Sequence, residues 1–182
     1  MIKLFTERLL IRDHVIEDLM EHHELFSDET SMKYLPGIKT KTLEESKKDL
    51  MESINEIKSE NRKLYFFRIE DRKSKEYIGE IGYTVKKETP VGKVVGLGYF
   101  INEKYWRQGY TTEALNRVIE FAFIENNVYR ISTGCLKENK GSEKVMIKCG
   151  MIKEGEFKEY QLHEGRLKDR VIYRLLRNEW TK

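Results

Sequence analysis

The residues best placed to do chemistry stand where the pattern of the chain changes period. Arg107, Gln108 and Gly109 separate an apolar run ending at Ile101 from a helical pattern that begins near Thr111. The first amides of a helix lack internal partners, and the aligned peptide dipoles put partial positive charge there. A glycine at such a mouth lets the backbone approach a bulky anion with no Cβ in the way. Thr111 and Thr112 add hydroxyls at the same end. This combination suits a phosphate or diphosphate, although a lone glycine before a helix is a weak signal. Other reactive side chains offer less. Cys135 and Cys149 lie in apolar surroundings without a metal-ligand spacing, and are expected to be reduced and buried. His22 and His23 diverge on a helix, and His14 and His163 stand apart, so no metal site is expected.

The elements that must hold this turn can be read outward from it. "VVGLGYFI" is a strand leading into it, and Leu115, Val118, Ile119 and Ala122 form one face of the helix that follows. Upstream, "KLYFFRIED" and "EYIGEIGYTV" form a hairpin across the polar turn "RKSK", and "ETPVGK" turns into the next strand. Leu9, Leu10 and Ile11 open the chain as a short strand, and Val15, Leu19, His23 and Phe26 mark a first helix. Thr42-Leu-Glu-Glu45 is a capping box for a second helix, whose stripe of Leu43, Leu50, Ile54 and Ile57 should end near Asn61. Downstream, "YRISTGCL" is a strand and "NKGSEKVMIKCG" a short helix stopped by Gly150. "MIKEGEFKEYQLH" and "LKDRVIYRLL" close the chain as two strands around the turn His163–Arg166. The expectation is a mixed α/β fold over residues 1–182, with a mostly antiparallel sheet of about six to seven strands covered by helices.

Bulk properties narrow the function classes. A chain of 182 residues suits one domain. Thirty-four basic and thirty-one acidic residues, interspersed as in "KSENRK", argue against nucleic acid as the main partner. No apolar stretch is long enough to span a bilayer, and the N-terminus has charges inside its apolar run, unlike a signal peptide. A cytoplasmic location is expected.

The segment "GYFINEKYWRQGYTTEALNRVIEFAF" resembles the acyl-CoA-binding motif of the GNAT family of N-acetyltransferases. Within that family the chain is most similar to the branch that acetylates the N-termini of ribosomal proteins. "TERLLIRD", "ENKGSEKVMIKCGMIKEGEFKEY" and "DRVIYRLLRNEW" resemble further parts of that branch, in order. The resemblance implies an acetyl-CoA-dependent enzyme that acetylates a primary amine, and no metal. It places the diphosphate on the backbone amides of Arg107, Gln108, Gly109, Tyr110, Thr111 and Thr112. It lays the pantetheine arm along the strand end at Phe100 and Ile101, with Asn139 contacting the cofactor from a later helix. Trp106 and Thr111 depart from the family's commonest diphosphate motif, though this branch often carries the tryptophan.

Acetyl transfer by direct attack of an amine needs that amine neutral, a donor for the thioester oxygen near Ile101, and a proton for the departing thiolate. Asn139, Ser142, Val145, Met146 and Cys149 share a helix face, which makes Ser142 the candidate acid; the alternative is an ordinary helix-end hydroxyl. A tyrosine acid found in many members is replaced by Met146, and a carboxylate frequent in the branch by Gly96. Glu80 is the remaining carboxylate for a base, unless it simply faces solvent on an alternating strand. No covalent acyl-enzyme is required, so neither cysteine is cast as a nucleophile. The acceptor, a protein N-terminus or a small molecule such as a polyamine or antibiotic, would meet Asp28–Lys41 and Tyr160–Lys168. A non-catalytic acyl-CoA-binding module is the competing reading, and homodimers are frequent in the family.

Overall fold

A computed structural model describes residues 1–181. In chain order it contains β1 (Lys3–Phe5), β2 (Leu9–Asp13), α1 (Leu19–Ser27), α2 (Leu43–Ile57), β3 (Leu64–Asp71), β4 (Tyr77–Thr89) and β5 (Gly92–Ile101). There follow α3 (Tyr110–Glu120), β6 (Val128–Leu136), α4 (Lys140–Lys148), β7 (Ile152–His163) and β8 (Arg166–Leu176). The eight strands form one sheet in the order β1-β2-β3-β4-β5-β6-β8-β7. Every neighbour pair is antiparallel except β5 with β6.

The sheet is thus one strand larger than expected. β1 has three residues, too few for a periodicity signal, and it forms by pairing Leu4 with Ile11. α2 stops at Ile57, short of Asn61, because the apolar stripe that anchors it ends there and the next residues are polar. Its capping box is present: Thr42 accepts the Glu45 amide at 3.2 Å, and Glu45 accepts the Thr42 amide at 3.3 Å. Thr42→Ala should cost about 1 kcal/mol in urea unfolding, whereas Thr42→Ser should cost little.

Both faces of the sheet are covered. In one row Phe67, Ile81 and Tyr99 sit side by side on β3, β4 and β5, and in the next Arg68, Glu80 and Phe100 do. The Phe67 face packs against Leu115, Val118 and Ile119 of α3 in the main core, where each is fully buried. Phe100 on the opposite face joins Leu25 and Phe26 of α1, Met32 and Tyr77 in a second cluster. Burying side chains of this size contributes about 1.5–3 kcal/mol apiece, so the helices are fixed to the sheet from both sides.

The parallel pair β5–β6 creates the feature that matters for function. A parallel neighbour requires a crossover, and α3 supplies it. Pairing runs from Lys93 opposite Val128 to Gly96 opposite Ser132 and then stops, although β5 continues to Ile101 and β6 to Leu136. The two strands part at their carboxyl ends. Crevices at such ends are where open α/β sheets bind ligands.

Candidate active site

α3 begins at one side of this crevice. Gly109, its N-cap residue, has φ +83° and ψ −6°, a left-handed conformation that only glycine adopts without strain. Arg107 is also left-handed, with φ +61°. The chain therefore turns sharply into the helix. Among the described residues no backbone acceptor takes the amides of Gln108, Gly109, Tyr110, Thr111 or Thr112, and no side chain caps them. The first internal bond runs from the Glu113 amide to the Gly109 carbonyl at 3.0 Å.

A carboxylate in the first turn would compete with an incoming anion, but Glu113 is drawn away. It receives Thr6 Oγ1 at 2.5 Å, the Arg8 amide at 2.9 Å and Arg8 Nε at 2.6 Å. Burial pushes its carboxyl up, and the bonds from Thr6 and Arg8 more than offset that, holding it below the usual range. Arg8 also donates to the Gln108 carbonyl at 3.1 Å and lies 4.3 Å above the Tyr110 ring. The Gln108 side chain donates to the Lys104 carbonyl at 2.7 Å. The helix mouth keeps its donors free and its own acid paired, which suits a doubly charged diphosphate.

Along β5 the ladder decides which main-chain groups face the gap. The Asn102 amide bonds the Ile78 carbonyl at 3.0 Å. By antiparallel alternation the main chain of Phe100 also turns to β4, while Tyr99 and Ile101 present theirs towards β6. Of the two residues expected at the strand end, Ile101 turns its amide to the crevice, whereas the main chain of Phe100 pairs with β4 and its ring lies on the α1 face; the main-chain groups that face the crevice beside those of Ile101 are those of Tyr99. Trp106 closes the end of the strand by donating Nε1 to the Ile101 carbonyl at 2.8 Å.

α4 forms the other wall. Asn139 caps it, with Oδ1 accepting the Ser142 amide at 3.1 Å, so only its side-chain NH2 is left for a ligand. Ser142 Oγ lies 2.9 Å from the Tyr99 hydroxyl, which also reaches the Ser142 carbonyl at 3.1 Å. Ser142 is thus turned inward to β5, and its partner Tyr99 went unnoticed in the sequence. Burial pushes the Tyr99 phenol well above its usual range. It pushes the Cys135 thiol up and the Cys149 thiol to about 12, which makes both poor nucleophiles at neutral pH.

Glu80 is elsewhere, and the solvent-facing alternative fails: the residue is 2% exposed. Its Oε1 receives the Tyr77 hydroxyl and contacts His22 Nδ1, each at 2.6 Å, and its Oε2 lies 3.4 Å from His14 Nε2. His22 Nε2 in turn faces Asp49 at 3.3 Å, and His14 Nδ1 faces Asp18 at 3.5 Å. Burial alone would lower both imidazoles, but Glu80 with Asp18 raises His14, and Asp49 with Glu80 raises His22, each to about 9. Burial likewise works against the Glu80 carboxylate, and the two imidazoliums overcome it, holding the group far below the usual carboxylate range. A carboxylate so enclosed, with its oxygens engaged and little affinity for a proton, is not arranged to touch an amine. His14, which stands apart in the sequence, and His22 are its partners. Among the described residues no group of three or more potential ligands has metal-holding geometry, and no helix is long and apolar enough to cross a membrane.

The family model of the acetyltransferase (GNAT) domain matches residues 8–152. The chain belongs to the GNAT family. It is 31% identical over 177 residues to the uncharacterized N-acetyltransferase YnaD of Bacillus subtilis, covering 97% of this chain and 98% of that one. The alanine N-acetyltransferase of ribosomal protein uS5 from Escherichia coli is 30% identical over 128 residues, 70% of this chain and 65% of its own length. In fold the chain resembles the spermidine N-acetyltransferase of Vibrio cholerae, solved with CoA and spermine: TM-score 0.82, 20% identity, 96% of this chain and 98% of that one. The chain is an N-acetyltransferase of the GNAT type, related to the enzymes that modify ribosomal proteins.

Proposed function

We propose that this GNAT enzyme transfers acetyl from acetyl-CoA to the N-terminal amine of a protein, by direct attack within a ternary complex. The observation that carries the reading is the set of unpartnered amides at the mouth of α3, beside strands β5 and β6 that part where Ser142 faces Tyr99. Acetyl-CoA supplies an activated acyl group and a thiolate leaving group. The amides from Arg107 to Thr112 hold its diphosphate, with Thr111 and Thr112 hydroxyls alongside. The main chain of Tyr99 and Ile101 pairs with the amide-bearing arm as a further strand would. The Ile101 N–H faces the carbonyl oxygen and stabilises the negative charge that grows there. Ser142 donates to the departing sulfur and is re-supplied through Tyr99, while the Asn139 side-chain NH2 steadies the arm. Glu80 acts as a positioning residue: it ties α1 to β4 behind Phe100 and keeps that side of the crevice in place.

The choice of acceptor rests on charge. The two segments expected to meet it, Asp28–Lys41 and Tyr160–Lys168, carry five cations against three carboxylates. Lys39 is paired with Glu29 and Lys168 with Glu138, which leaves Lys33, Lys41 and Arg166 against Asp28 and Glu164. Such a weakly positive rim offers a polycation no acidic surface and accommodates a singly charged chain terminus. Incubation with acetyl-CoA and either an alanine-initiated peptide or spermidine, followed by release of free CoA, tests this. Faster turnover of the peptide is expected, and a preference for spermidine would refute the acceptor assignment. Ser142→Ala should lower kcat about fivefold, as loss of one hydrogen bond near 1 kcal/mol implies, with the KM for acetyl-CoA unchanged. Steady-state kinetics on the reactive amine would show it.

A further inference from the structure

His163, the last residue of β7, is 3% exposed, yet neither ring nitrogen has a hydrogen-bond partner. Burying a polar group unpaired costs about 1–3 kcal/mol, so an imidazole kept this way asks for a partner that the fold itself does not supply. The turn that holds it is tight. Glu164 (φ +49°) and Gly165 (φ +73°) form a two-residue hairpin loop, both left-handed, which points the end of β7 back against the body of the protein. There the ring stacks on Tyr34, with centroids 5.9 Å apart and planes 26° apart.

Tyr34 belongs to the segment between α1 and α2, and three residues earlier the Ser31 hydroxyl accepts the Glu103 amide at 3.1 Å. Glu103 follows the end of β5. Near the end of β6, Glu138 lies within electrostatic reach of both Lys33 and His163, and it holds Lys168 at 2.9 Å. One short strap, Ser31–Tyr34, therefore touches Glu103, just after β5, and His163, at the end of β7 and within electrostatic reach of Glu138 beyond β6. Of the groups around the ring, Tyr34 and Lys33 come from the strap, Glu138 from the β6–α4 connection, and Glu164 from its own turn. The nearest carboxylate oxygen, Glu164 Oε1, is 3.9 Å from Nε2.

We infer that His163 is the residue that receives the acceptor amine and takes its proton. The inference rests on the amine-acetylating function proposed above. With Nε2 protonated towards Glu164, Nδ1 carries the lone pair that accepts a hydrogen bond from the amine. As the amine nitrogen bonds to the acetyl carbon, its proton passes to Nδ1, the carbon–sulfur bond breaks, and the thiolate is protonated from the Ser142 side. The products are an amide and free CoA, and the proton on Nδ1 passes to water that replaces the amide as the products leave. Tyr34 holds the ring and roofs the entry.

The test uses full-length protein, acetyl-CoA, and an alanine-initiated hexapeptide or spermidine, whichever turns over. His163→Gln keeps size and polarity but cannot carry the proton, and should lower kcat/KM for the amine about 100-fold, within the range for general acid–base groups. The melting shift caused by CoA should be retained. His163→Ala should recover several-fold with added imidazole, which a merely structural side chain would not allow. Turnover by the wild type with His163→Gln within threefold, or no recovery by imidazole, overturns the assignment and leaves the function standing. No turnover of either amine by the wild type removes the function and this inference with it. Should both variants fail to fold, the ring nitrogen resonances of His163 in CoA-bound wild type decide: a shift on adding the hexapeptide supports the assignment, and none overturns it.

Discussion

Glu80→Gln should destabilise the protein by about 3–5 kcal/mol, the range found when one partner of a buried ion pair is removed. Glu80 is enclosed by His14, His22 and Tyr77, and its charge helps to keep both imidazoles protonated up to about pH 9. Without that charge the rings must lose their protons or stay ionised at a distance from Asp18 and Asp49 that only partly compensates. The same residues set a pH dependence. Each histidine binds its proton more tightly folded than unfolded, where the value is near 6.5. Their contribution is fully present below about pH 6.5 and is lost as the pH rises through about 9. Urea titrations of the wild type should therefore show stability falling across that interval. In Glu80→Gln the fall should be much shallower. Equal slopes in the two proteins would mean that the histidines are not held charged by Glu80.

How much of this could be read beforehand depends on whether the cause was local. The mouth of α3 was legible because it is written in consecutive residues: a glycine, a turn and a helix that needs its first amides satisfied. The capping box of α2 was legible for the same reason. Glu80 was not, because beside the nearby Tyr77 its environment is built by His22, 58 positions away, and by His14, farther still. Strand alternation also misled there. An alternating strand has a wet face only when one side of the sheet is bare, and β4 is covered by α1 on one side and α3 on the other. Tyr99 was hidden by the same double cover, since an aromatic residue on a buried strand reads as core until its hydroxyl is seen against Ser142. His163 needed the fold of the hairpin and the strap together. Long-range partners of a buried polar group leave no spacing in a single sequence, whereas helix caps and left-handed turns do.

Gly109→Val separates binding of the cofactor from folding. The glycine sits at φ +83°, and a Cβ there would meet only Arg8 Nη2, at 3.4 Å, so the space is open and the cost lies in the backbone. A branched side chain in that conformation costs on the order of 1–2 kcal/mol. The chain can relieve it only by rotating the peptide planes on either side, and those planes carry the amides of Gly109 and Tyr110 that point out of the helix. The residue is remote from the fully buried rows of the sheet, so the melting temperature should fall by only a few degrees. Affinity for CoA should fall 10- to 100-fold, because several donors lose their common aim at once and the new methyl groups stand where a diphosphate would approach. Calorimetric titration of the variant with CoA would measure this, with Gly109→Ala expected to lie between the two proteins. An affinity within twofold of the wild type would mean that the diphosphate is held away from the start of α3. In that case the free amides there would need another explanation, since the bonds that tie the start of α3 to the β1–β2 turn run through Glu113 and the Gln108 carbonyl and use none of those amides.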